Sequence, residues 1–474
     1  MTVCEQIGEW LADLTPDSIP KRTLRRARLQ TAAVLAAGRA GEAAAAPFVS
    51  VAPDGPAGEV YAGAAASVAH DWDDYLFMGH TGHSSVWTSR AFADDPERAL
   101  LAQVAGNEVA GRFGAAVFLG PHNGQFWASI HCAGAAASAG VALGLDPEQL
   151  AHALAIALYQ PPFGLWPGFM GPQTKLLTAA EPASQGARAA LLAAEGVRGA
   201  LDLVESRRGF LRAFSFVPRP QMLGALGDVW LTDTLAFKPL PGCAYLQAAA
   251  DATLRAGVEP EEVATIDVDA GWLTVAMEHL RPPDGLTPAG INFSAARTVA
   301  VCLLAGRLTH EELDPGWLAD NASAVEGLAA RVHVRHDPGL TLETLRGPLD
   351  AGASTADVSP IGWLRVLRGA RRSGINGGLD ATELVAMLRN RDFRRALSRG
   401  ARMGGDGLSG LDTAAMRMSF PCRLRIALRS GRTIQIEGDQ PGSCGRSLEE
   451  QGAVVEEKCR MVGLEPAQAA AAAS

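Results

Sequence analysis

The chain has 474 residues, 48% of them apolar and 20% charged, with a mean hydropathy of +0.07. That composition excludes a mostly disordered chain, and the length allows two or three domains. The 42 basic residues are outnumbered by 51 acidic ones, a net charge of −9 with no long basic run, which argues against nucleic-acid binding. No apolar run approaches the ~18 residues of a membrane span. The first ten residues carry two acids and no base, so no secretory leader is expected.

In chain order, residues 18–37 pair an Arg-rich face with an Ala/Leu face and predict a helix. A loop is expected over 54–58, then helices over 99–117 and 133–145, the second of small residues that allow close packing. Asp146-Pro147-Glu148-Gln149 is a helix start: Asp as N-cap, Pro at the first helical position, Gln closing a capping box. Residues 159–173 form a loop rich in Pro, Gly and aromatics, and 181–195 a further helix. Strand alternation is expected only after about residue 255, at 264–269 and 331–335. A hairpin is expected at 423–437, turning on Ser430-Gly431. Residues 1–240 are expected to be almost wholly helical. The Arg/Gly-rich stretch 350–410, with a helical piece at 381–391, reads as an insertion. The fold class is therefore mainly α: a large helical domain, 1–245 with a C-terminal return at 446–474, and a smaller α+β domain at 246–445.

The seven cysteines are scattered, odd in number and never spaced C-x-x-C, so neither a disulfide framework nor a structural zinc site is expected. A reduced, cytoplasmic protein follows as an expectation. Only four of the 42 basic residues are Lys: Lys21, Lys175, Lys238 and Lys458. In such an Arg-biased chain a lysine can stand for what Arg cannot offer, a compact ammonium that titrates when desolvated. Lys175 and Lys238, flanked by apolar residues or Pro, are the functional candidates. Lys21 and Lys458, in charged helical contexts, need no reason beyond the compositional bias.

Five of the ten histidines lie between His70 and His131. The run from His70 to His83 holds three acids, three imidazoles and a phenol. It reads first as a general acid–base cluster, since imidazole titrates near neutral pH and a neighbouring carboxylate orients it. A metal site on His70, His80 and His83, or a solvated polar loop, are alternatives. His122 and Gln125 precede the small-residue helix, where amide dipoles receive anions. His131, inside that helix, reads as a packing residue. Nothing resembles a GxGxxG fingerprint in a strand–turn–helix setting or a P-loop, and no G-x-S-x-G elbow stands out, so no nucleotide cofactor is expected.

These residues also carry a resemblance. Asp71-Trp-Asp-Asp74 followed by His83-Ser-Ser85 resembles the D-F-D-D…H-P-S signature of the MmgE/PrpD family. That family includes 2-methylcitrate dehydratase, cis-aconitate decarboxylase and iminodisuccinate epimerase. Asn107–Arg112, Gly144–Leu154, Gln173-Thr-Lys175, Arg208–Arg212, Phe237–Pro241 and Phe293-Ser294 resemble its further motifs in the same order.

The resemblance implies a site in the cleft between the two domains, no cofactor, no metal, a homodimer, and a small carboxylate substrate. The chemistry it implies is dehydration, decarboxylation or epimerisation next to a carboxylate of a di- or tricarboxylic-acid-like compound, with no nucleic acid or membrane partner. Asp71, His83, Lys175 and Lys238 match its catalytic positions: His83 as acid/base, Asp71 orienting it, the lysines binding carboxylate and stabilising negative charge. Tyr75, His80, His122, Gln125 and Arg297 are expected to shape the pocket. Gln125 falls where the family has a second histidine, Tyr75 where it has Thr, Thr178 where it has His, and Arg297 where it has Tyr. Gln cannot exchange a proton near neutral pH, so poor turnover of 2-methylcitrate and cis-aconitate is expected, with another acid as substrate. A catalytically degenerate binding or scaffold protein on the same fold is the alternative.

Overall fold

Small residues determine how the N-terminal half packs. In the computed structural model, which describes residues 1–121, 128–171, 173–280, 285–353, 358–372, 389, 391 and 407–465, helices dominate the first 194 residues. They run Val3–Ala12, Lys21–Val49, Pro56–Val68, Gly82–Phe92, Pro96–Val117, Ala128–Leu143, Pro147–Ala157 and Leu177–Ala194. The helix Ala128–Leu143 is buried from Ala128 to Val141, apolar on every side as a central helix must be. It lies against Leu177–Ala194 so closely that a Cβ on Gly186 would stand 2.2 Å from the Cys132 carbonyl oxygen. The expected start at Asp146 is present with its reciprocal Gln149 bond.

Two expectations for the first half need correction. Residues 195–235 are mostly turns and short 3-10 pieces, not helix. A two-stranded ribbon also forms before residue 240: β1, Asp74–Tyr75, pairs antiparallel with β2, Ala236–Phe237. Strands of two residues are too short to leave an alternation pattern, and tertiary contact rather than periodicity pairs them.

The second half contains the main sheet. Strands β3 (Val263–Ala270), β4 (Val332–His336), β5 (Cys422–Leu428) and β6 (Thr433–Gly438) lie in the order β4-β3-β5-β6. β3 pairs parallel with β4 and antiparallel with β5, and β5 with β6 antiparallel. Alternate residues Ile266, Val268, Leu424 and Ile426 face one core against the helices Gln247–Ala256, Ala295–Ala305 and Pro315–Ala329. The hairpin turn has three residues, Arg429-Ser430-Gly431, not two. Leu428 N–H donates to Arg432, and Gly431 sits at φ +87°, where a side chain would be strained.

The N-terminal helices form a larger core, which Met416, Phe420 and Cys444 also join. The C-terminal helix Leu448–Met461 returns to it through Val455 and Cys459. All seven cysteines are buried and unpaired. Among the described residues no helix is long and apolar enough to cross a membrane. Most of the stretch 350–410, including its expected helical piece, lies outside the described residues.

Candidate active site

The turn Asp71–Asp74 follows the helix Pro56–Val68 and precedes Gly82–Phe92. Asp71 has φ +51°, the left-handed region that non-glycine residues enter at a cost. That reversal sends neighbouring side chains to different partners. The Asp71 carboxylate pairs with Lys175 at 2.9 Å, while the Lys175 ammonium also donates to the Val68 carbonyl at 3.0 Å. The Asp71 carbonyl accepts from Lys238 at 2.8 Å. Lys238 further donates to Asp73 Oδ1.

Asp73 is the hub. Its Oδ2 meets His80 Nδ1 at 2.7 Å and His83 Nε2 at 3.1 Å. Sequence reasoning assigned the orienting role to Asp71; the carboxylate on His83 is Asp73's. The motif D-W-D-D contains it, but spacing cannot say which acid the reversed backbone turns inward. His83 Nδ1 lies 2.9 Å from Ser67 Oγ, so both ring nitrogens of His83 have protein partners, and its side chain is only 2% exposed. His80 is 31% exposed and Asp71 13%. Lys175 and Lys238 are both buried. A ligand would therefore reach the cluster past His80 and Asp71.

Charge within the cluster is set by opposing effects. Burial pushes the Asp73 carboxyl up, but the Lys238 ammonium and then His80 outweigh it and hold it well below the ordinary carboxylate value. Burial likewise pulls Lys238 down, and Asp73 with Asp71 more than restores it, to above an ordinary lysine. Asp74, buried beside Asp73, is raised; its Oδ2 accepts from Gln30 at 2.8 Å. His131 packs edge-on to His83, ring centroids 5.8 Å apart, and its Nδ1 lies 3.0 Å from Ser84 Oγ. Burial and then His83 push it well below the usual imidazole range. Burial pushes the Cys243 thiol up to about 12 although Lys238 opposes it, so it is no thiolate. Apolar rings close one side: Lys175 Nζ lies 5.6 Å from the Phe169 ring centre and 5.9 Å from that of Phe293.

Of the other expected pocket residues, Tyr75 borders the cluster: its ring centre lies 6.2 Å from that of His80 and 6.2 Å from that of Phe420, and its buried hydroxyl donates to Gln440 at 3.1 Å. Arg297 pairs with Glu326 of the helix Pro315–Ala329 at 2.8 Å. His122 and Gln125 lie outside the described residues. Burial and then His310 lower His70 to about 4. No group of three His, Cys, Asp or Glu side chains among the described residues is arranged to hold a metal ion. Lys458, for which the sequence offered no functional signal of its own, is fully buried and donates to the Trp72 carbonyl.

Comparison with curated proteins finds no match for the chain. Comparison with family models matches residues 55–222 to the MmgE/PrpD N-terminal domain. The matched segment contains Ser67, Asp71, Asp73, His80, His83 and Lys175, the N-terminal part of the cluster. Over these residues, about a third of its length, the chain is similar to the MmgE/PrpD N-terminal domain.

Proposed function

We propose that the protein is a cofactor-independent lyase or isomerase that works at a carbon next to a carboxylate of a small di- or tricarboxylic-acid-like substrate. The family domain supports lyase-type chemistry in general. The observation that carries the finer reading is the pairing of the Asp73 carboxylate with His80 Nδ1 at 2.7 Å beside two buried lysines.

A carboxylate on Nδ1 orients the imidazole and stabilises its cation, so Nε2 can take a proton from carbon and return one. His80 suits this role better than His83 because its side chain is 31% exposed, where a ligand can reach it, against 2% for His83. Removing the proton leaves its electron pair on the carbon and the adjoining carboxylate. Lys175 and Lys238 supply the positive charge that such an intermediate needs. A substrate carboxylate approaching Lys175 competes with that of Asp71. A homodimer is part of the same reading, and sedimentation at twice the chain mass of 49.5 kDa would support it.

The test uses a panel of di- and tricarboxylic acids, including 2-methylcitrate and cis-aconitate. Melting-temperature shifts report binding; proton NMR in D2O reports exchange, elimination or loss of CO2. At least one acid is expected to exchange its α-proton with the wild type and to lose that exchange in His80→Gln. An acid that binds without any exchange would favour the binding-protein alternative. Exchange that survives His80→Gln but not His83→Gln would return the proton to His83.

A further inference from the structure

Three of the four lysines of this chain meet on one turn. Lys175 and Lys238 hold two of its three carboxylates, those of Asp71 and Asp73, and Lys458 donates to the carbonyl between them, that of Trp72. Lys458 arrives on the C-terminal helix, 386 residues further along the chain. Its ammonium stands 5.2 Å from the Trp72 ring centre, and both residues are wholly buried. The charged and titratable groups around it are Asp73, Asp74, Lys238 and Cys459. A buried ammonium is tolerated only where it is hydrogen-bonded and near opposite charge. Here it is wholly buried, whereas His80 and Asp71, past which a ligand would arrive, are partly exposed.

We propose that Lys458 is a positioning residue: by gripping the Trp72 carbonyl it holds the reversed backbone at Asp71, so that Asp71 stays on Lys175 while Asp73 stays on Lys238, His80 and His83. The peptide it holds joins the two carboxylates, and a rotation of that peptide would move both. Its importance to catalysis rests on the reading given above, but its effect on the histidines does not.

The experiment therefore needs no substrate. Lys458→Met keeps the length and the contact with Trp72 but removes the donor; Lys458→Arg keeps charge. Histidine-labelled full-length protein is followed by imidazole 15N NMR across pH. In Lys458→Met the His80 and His83 signals are expected to shift together, while that of His333, on β4 of the four-stranded sheet, stays unchanged. Lys458→Arg is expected to restore them in part. Unchanged His80 and His83 signals in a folded Met variant would overturn the proposal. Should that variant not fold, lysine-Cε labelling of the wild type decides, because four lysines give four signals. A step in the Lys458 signal mirrored in His80 and His83 supports positioning, and its absence there overturns it. Responsive histidines in a protein that processes no acid would leave the positioning role standing and remove the enzymatic reading instead.

Discussion

Asp71 and Asp73 are two residues apart and do different work, which makes opposite predictions possible. Asp73 is 3% exposed and neutralises the equally buried Lys238. Asp73→Asn strands that ammonium, and removing one partner of a buried pair typically costs about 3–5 kcal/mol. Urea unfolding should show a loss of that size. Asp71 is more exposed, so Asp71→Asn should cost less stability while relieving competition at Lys175. Succinate is expected to raise the melting temperature of this variant more than that of the wild type; an equal or smaller rise would show that Lys175 is not the carboxylate site. The sequence already displayed both acids, both lysines and both histidines. It could not pair them, because the pairing turns on one residue with φ +51°, and that backbone state leaves no periodic trace.

Among the elements, the helices with strong local signals were readable: the Asp146 cap, and the small-residue helix ending at Leu143. Their closeness is testable. At Gly186 an added Cβ would meet the Cys132 carbonyl at 2.2 Å, so Gly186→Ala must push two central helices apart. Overpacking of this kind typically costs about 1–3 kcal/mol, to be seen as a lower urea midpoint with an unchanged slope. The β1–β2 ribbon was not readable, yet it ties Asp74 to Phe237, next to Lys238. Two residues per strand carry no pattern, and only the fold brings segments 162 positions apart into register.

Across the whole molecule, the C-terminal helix brings Lys458 into the larger core, and this has a pH signature. Burial lowers Lys458 from 10.5 to about 7, despite the attraction of Asp73 and Asp74. Above pH 7 the unfolded chain then holds a proton that the folded one has released, so stability should rise with pH. The rise is on the order of 1.4 kcal/mol per pH unit at most. It is cleanest between about pH 7 and 8.5, because above the ordinary cysteine value of 9.0 the buried thiols, which stay protonated when folded, pull the other way. Lys238, raised above its ordinary value, contributes stability that is lost only at still higher pH. Lys458→Met should flatten the slope in that window while leaving the acid side unchanged, as urea unfolding at a series of pH values would report. An identical slope in the two proteins would mean that Lys458 does not titrate there.

By itself the sequence determined the helical character of the first half, the β3, β4 and hairpin strands, the absence of disulfides and the cast of candidate groups. Each of these is written in local composition, in a repeat of 3.6 or 2 residues, or in short motifs. Only the tertiary structure decided that Asp73 rather than Asp71 holds the histidines, that His80 is the exposed imidazole, that Arg297 turns to Glu326, and that Lys458 belongs to the cluster. Those outcomes depend on a reversed backbone and on contacts across up to 386 residues. Burial then sets the charges, because a lysine reads the same in sequence whether it lies in water or under a tryptophan.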